Sequence, residues 1–175
     1  MKLVHWSKNI ITKVKSEDQK DGFDIKPRGF WVSDEDEGAG GWKSWCEAES
    51  FRLHALRYEH EITLADKANI LYLHTPADLH AFTEEYKVTP PGIIEYDSNM
   101  FINWHRVAHK YQGIIITPYI WSERLGKLTW YYPWDCASGC IWDSRAIKSV
   151  KLVREHKTLE IKDSASHDKI PQTLE

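Results

Sequence analysis

The nine-residue stretch DCASGCIWD places Asp135 and Asp143 at either end of a run of small, sulfur-bearing and apolar side chains, just after the aromatic segment TWYYPW. A carboxylate in such a setting can act as an acid, a base or a fixed negative charge. A second group of candidates lies in the first 45 residues. LVHWS puts a histidine, His5, and a hydroxyl, Ser7, at the end of a short apolar run. GFWVS follows with Trp31 and Ser33, which share one face because strand side chains alternate. Trp42 stands eleven residues beyond Trp31. Nine tryptophans in 175 residues admit two uses, a tryptophan-rich core or a pocket that stacks flat heteroaromatic rings.

Other arrangements carry less. His105 and His109 are four apart, as are Cys136 and Cys140, a ligand set a tetrahedral zinc could use. Arg106 follows the first histidine where a metalloprotease helix needs glutamate, so a solvated helix face and two buried thiols are expected, and no metal. DEDEGAGG opens like a calcium loop, but its twelfth position is Trp45, which excludes that site. Its acids Asp34, Glu35, Asp36 and Glu37 read as a solvated loop or an acidic docking patch. Phosphate-loop, dinucleotide-binding and nucleophile-elbow motifs are absent from the sequence.

The elements that must position these residues follow from periodicity. KLVHW and GFWVS read as strands, and a helix begins at WKSW. RYEHEITL and ILYL are strands, TPADLHAFTEEY is a helix capped by Thr75, and FINWHRVAHKYQG is a second helix ending at Gly113. GIIITPYIW, GCIWD and IKSVKLV complete the strands. Few helices among many strands predict an α+β domain of two packed, mainly antiparallel sheets over residues 1–154, with a polar, mobile tail over 155–175. A net charge of −3 argues against non-specific coating of nucleic acid. The absence of a long apolar run and of a signal-peptide core predicts no membrane contact and a cytoplasmic location, and an odd cysteine count fits reduced thiols.

Taken together, His5-Trp6-Ser7, Gly29-Phe30-Trp31-Val32-Ser33 and Trp42 resemble the ADP-ribosyltransferase fold, in the branch of the poly-ADP-ribose polymerases and diphtheria toxin, nearest to its small bacterial and phage members. That branch carries His-Gly-Ser/Thr on its first strand, Gly-x-Tyr-Phe-Ala/Ser on a second, and a stacking tyrosine eleven residues on. Here Trp6 replaces the glycine and tryptophan replaces both tyrosines. The resemblance extends to GIIITPYIW and CIWDSRAIKSVKLV in the second half. It implies NAD as co-substrate, with His5 and Ser7 holding the adenosine ribose and Trp31 and Trp42 sandwiching the nicotinamide. It also implies transfer of ADP-ribose to a protein or nucleic-acid acceptor with release of nicotinamide; small size and the lack of a signal-peptide core lean towards an intracellular effector, with toxin, phage counter-defence and housekeeping roles all open.

The family's chemistry needs a carboxylate to stabilise positive charge on the ribose. The family pattern places that acid at Ser138, which is not one. Asp143 lies five residues on, roughly 16 Å along a strand and on the opposite face. Asp135 lies three residues upstream in a turn that can fold back, so it is the first candidate and Asp143 the second. Without an acid, the same pocket would be a nucleotide-binding module. An unrelated interaction domain, its tryptophans all core, is the third reading.

Overall fold

Alternating side chains fold LVHWS into β1 (Leu3–Ser7) and FWVSD into β2 (Phe30–Asp34), which run antiparallel side by side. The computed structural model describes residues 1–90 and 99–157, and in it five more strands join these two. They are β3 (Tyr58–Leu64), β4 (Ile70–Leu73), β5 (Gly113–Ile116), β6 (Ser138–Ile141) and β7 (Ile147–Glu155). The spatial order is β4-β5-β6-β2-β1-β3-β7, with β4 and β5 parallel and the other neighbours antiparallel. Among the described residues three α-helices accompany the sheet: α1 (Trp42–Ala48), α2 (Pro76–Tyr86) and α3 (Trp104–Ala108).

The expectation of two packed sheets is corrected to one mixed sheet of seven strands. The reason lies at its centre. β3 and β7 extend from β1, while β6, β5 and β4 extend from β2. The two halves are stitched by the pairs Leu3–Asp34 and Val4–Ser33, after which β1 and β2 part. The parallel pair arises because the chain returns from β4 to β5 through α2 and α3.

Local signals set the helices. Thr75 accepts from the Asp78 backbone N–H while the Asp78 carboxylate accepts from that of Thr75, and Pro76 opens α2. α3 is shorter than its sequence suggests, since Ile102 forms bridges to Asp24 and Lys87 and Asn103 caps the helix only afterwards. β7 runs one residue past 154: Glu155 pairs with Tyr58 and forms an ion pair with Arg57 at 2.8 Å. The expected tail from 158 onward lies outside the described residues.

Two apolar layers cover the sheet. On one face Trp104, Trp130 and Trp134 are fully buried with Leu79, Ile114 and Ile116. On the other lie Leu3, Val32, Ile62, Ile115 and Ile141. Gly139 permits close approach in the middle of the sheet, because a Cβ there would stand 2.5 Å from the Ile114 carbonyl oxygen.

The acidic run does not form one solvated patch. Asp34 is 3% exposed, and its carboxyl accepts from the Lys2 N–H at 3.1 Å, the Asp36 N–H at 3.2 Å and the Thr117 hydroxyl at 2.9 Å. It thereby fastens the stitched end of β1 and β2. Asp34→Ala is expected to destabilise the fold by about 2–4 kcal/mol, because buried donors lose their acceptor, whereas exposed Glu37→Ala stays within about 0.5 kcal/mol of wild type. Urea unfolding of the two variants measures the contrast.

Candidate functional site

Where β1 and β2 part, a cleft of about 460 Å³ opens over the seam. This volume falls in the range of small-molecule sites. Cross-strand pairing of Val4 with Ser33 and of Ser33 with Ser138 puts Val4, Trp6, Trp31, Ser33 and Ser138 on one face. α1 covers that face with Trp42, Trp45 and Cys46, which pack against Val4 and Trp6. The turn before β6 brings Asp135 and Cys136 to the same cleft.

Of the residues singled out in the sequence, His5, Trp6, Trp31, Ser33, Trp42, Asp135 and Ser138 line this cleft. Ser7 and Asp143 do not. The Ser7 hydroxyl donates to the Asn9 carbonyl at 2.6 Å. Asp143 follows β6, whereas Asp135 precedes it, so the strand holds the two acids at opposite ends. Asp143 accepts from the Arg145 side chain, with one contact of 2.6 Å, and from Gln112 Nε2 at 3.0 Å. The Arg145 guanidinium holds this carboxyl well below the usual aspartate range. Asp143 thus caps the turn Ser144–Ala146 beside a second hollow.

His5 closes the seam in place of a backbone ladder bond. Its Nδ1–H donates to the Trp31 carbonyl at 2.7 Å, and its ring stacks on Phe30 with centroids 4.2 Å apart. Burial lowers its pKa, outweighing that hydrogen bond, so the ring is neutral at pH 7. With Nδ1 protonated, Nε2 is an acceptor suited to a hydroxyl.

The hydroxyls are already partnered: Ser138 donates to the Cys136 carbonyl at 2.9 Å, and Ser33 donates to Glu35 Oε1. Glu35 Oε1 also accepts from Trp6 Nε1 at 2.9 Å. Trp6, Ser33 and Glu35 therefore form a fixed polar floor. Trp31 and Trp134 pack edge-to-face with ring centroids 5.0 Å apart, and Trp42 stacks on Trp45 with centroids 5.1 Å apart and 17° between planes. Each aromatic wall is thus held by a second tryptophan.

Among the described residues that line the cleft, Asp135 is the one acidic side chain; the Glu35 carboxyl lies at its floor, bonded to Trp6 and Ser33. Burial raises the pKa of Asp135, and Lys26 and Arg124 act against that rise; Arg124 Nη2 lies 3.9 Å away. Cys136 is no thiolate, since burial pushes its thiol up to about 12. Sequence reasoning missed Lys26 and Arg52 and read Glu35 only as part of an acidic loop. Lys26 ends the polar, weakly periodic segment KNIITKVKSEDQKDGFDIK, which reads as a connection or a marginal helix, and Arg52 is in a left-handed position (φ 48°) at the start of the turn Leu53–Leu56. Lys26 and Arg52 both line the cleft and give it positive charge against Asp135.

His105 and His109 contact each other through Nε2 atoms at 2.9 Å, and Cys136 and Cys140 are buried thiols. Among the described residues no group of three or more histidine, cysteine or acidic side chains is placed to hold a metal. No protein-family model matches the chain, and no curated protein or solved structure does.

A carboxyl whose pKa is raised on folding costs stability when ionised, and the cost vanishes below the unfolded value. Asp135→Asn is therefore expected to raise the thermal midpoint at pH 7, with the gap to wild type closing as pH falls below the ordinary aspartate range. Thermal melts of both proteins from pH 3 to 8 measure this.

Proposed function

We propose that the chain is an NAD-dependent mono-ADP-ribosyltransferase built on an ADP-ribosyltransferase-like domain. The observation that carries this reading is the cleft over the β1–β2 seam, which gathers His5, Trp31, Trp42 and Asp135 from segments up to 130 positions apart. Each has a surface that the reaction requires. His5 Nε2 accepts from a ribose hydroxyl of the adenosine half. Trp31 and Trp42 offer ring faces to the nicotinamide, and exposed Arg52 offers charge to the phosphates.

Asp135 supplies the fixed negative charge. The bond between ribose and nicotinamide breaks with its electron pair going to the nicotinamide nitrogen, and positive charge builds on the sugar. A desolvated carboxylate stabilises that charge more strongly than water does. The acceptor nucleophile then bonds to the ribose carbon and its proton passes to solvent. The acceptor is a protein or nucleic-acid group that reaches the mouth of the cleft.

Nicotinamide release from NAD, assayed with cell extract as the source of acceptor, is the test. Asp135→Asn is expected to lower release by roughly a hundredfold or more, while Asp143→Asn stays near wild type. Trp42→Ala is expected to weaken NAD affinity by about tenfold. The rate should rise with pH through an acid limb above the ordinary aspartate range, because Asp135 must be ionised and its pKa is raised; Asp135→Asn should lack this limb. Saturable NAD binding without release from wild type would reduce the cleft to a nucleotide-binding site. Release that survives Asp135→Asn would remove Asp135 from the chemistry.

A further inference from the structure

The Lys26 ammonium stands 4.3 Å from the centre of the Trp31 ring and 5.7 Å from that of Trp134, and it donates to the Pro133 carbonyl at 2.7 Å. An ammonium on an aromatic face is held by the quadrupole of the neutral ring, which is negative over its faces, so such a face attracts a cation. Here the face belongs to the wall that the NAD reading assigns to nicotinamide. The Lys26 side chain is half-buried between the cleft wall and the Pro133 carbonyl, and that burial lowers its pKa against the pull of Asp135. Its charge therefore acts on whatever enters beside it with little screening.

In intact NAD the nicotinamide is a positively charged pyridinium; as a leaving group it is neutral. A fixed ammonium beside that ring repels the first and tolerates the second. We infer that Lys26 is a charge-selecting residue: its ammonium competes with the pyridinium for the face of Trp31, weakens binding of intact NAD and favours departure of neutral nicotinamide. The inference rests on the NAD reading of the cleft. The two charged groups then divide the reaction. As the bond breaks, positive charge moves away from Lys26 and toward Asp135, so both groups favour the transition state over the bound substrate.

NADH supplies the control, because it is the same dinucleotide with an uncharged ring. Affinities of wild type and Lys26→Met for NAD and NADH, from tryptophan-fluorescence titration, give the ratio that matters. The expected result is an NAD/NADH affinity ratio about tenfold higher in Lys26→Met. Nicotinamide release at saturation should fall about tenfold while KM for NAD falls with it. Lys26→Arg, which keeps the charge, should hold the ratio within about twofold of wild type. Lys26→Gln removes the charge but keeps a donor for Pro133, and takes the place of Lys26→Met if loss of that bond unfolds the chain. Equal weakening of NAD and NADH in the neutral variants overturns the inference and makes Lys26 a phosphate contact. An unchanged ratio overturns it as well. A wild type that binds neither dinucleotide overturns the NAD reading itself, and this inference with it.

Discussion

The fold and the cleft both depend on how far β1 and β2 stay paired. Two residue pairs, Leu3–Asp34 and Val4–Ser33, join the halves of the sheet, and the strands then separate. Such a seam needs reinforcement at both ends. At the paired end Asp34 supplies it, collecting two backbone donors, one just before β1 and one in its own turn, and the Thr117 hydroxyl from beyond β5. At the open end His5 supplies it, bonding to the Trp31 carbonyl where a ladder hydrogen bond would otherwise run. A fully paired β1–β2 would close the cleft, and an unclamped one would let the sheet split. The cleft exists between these limits.

The electrostatics of the cleft follow from the same geometry. Asp135 and Asp143 have identical side chains eight positions apart, yet their environments push them in opposite directions. Asp143 faces Arg145 and is held ionised as part of a turn. Asp135 is half-buried, its nearest guanidinium 3.9 Å away, and burial outweighs its cations. A carboxylate kept at a cost is available to interact with a charge that arrives later, whereas a carboxylate already paired has little left to offer.

How much of this was legible in the sequence depends on the range of the interaction. Strands β1, β2, β3 and β6 and helix α2 rest on alternation, spacing and caps, all local, and they lie where the pattern places them. The sequence joins His5, Trp31 and Trp42 by a resemblance of spacing and ranks Asp135 before Asp143 by the reach of a strand; His5, Trp31, Trp42 and Asp135 line the cleft and Asp143 does not. The union of the strands into one sheet was not visible, because it turns on two long-range residue pairs that leave no local signature. Lys26 was hidden for a related reason: among the lysines of a polar connecting segment, only tertiary packing selects the one that lies on Trp31. Asp34 and Glu35 were disguised by their acidic neighbours, although one clamps the sheet and the other anchors Trp6 and Ser33.

Several of the tryptophans divide between two duties that support each other. Trp104, Trp130 and Trp134 are core, fully removed from water. Trp31 and Trp42 are half-buried walls of the cleft, and each leans on another tryptophan, Trp31 edge-to-face with buried Trp134 and Trp42 stacked on Trp45. A lone aromatic at the lip of an open cleft would collapse into it to escape water. A ring held from behind cannot collapse, and the space in front of it stays open for a ligand at little further ordering cost. Backing the wall with a buried indole also fixes the face on which the Lys26 ammonium rests. The tryptophan-rich core is thus the reason the cleft can be both apolar and open, and the reason a cation can be stationed within it.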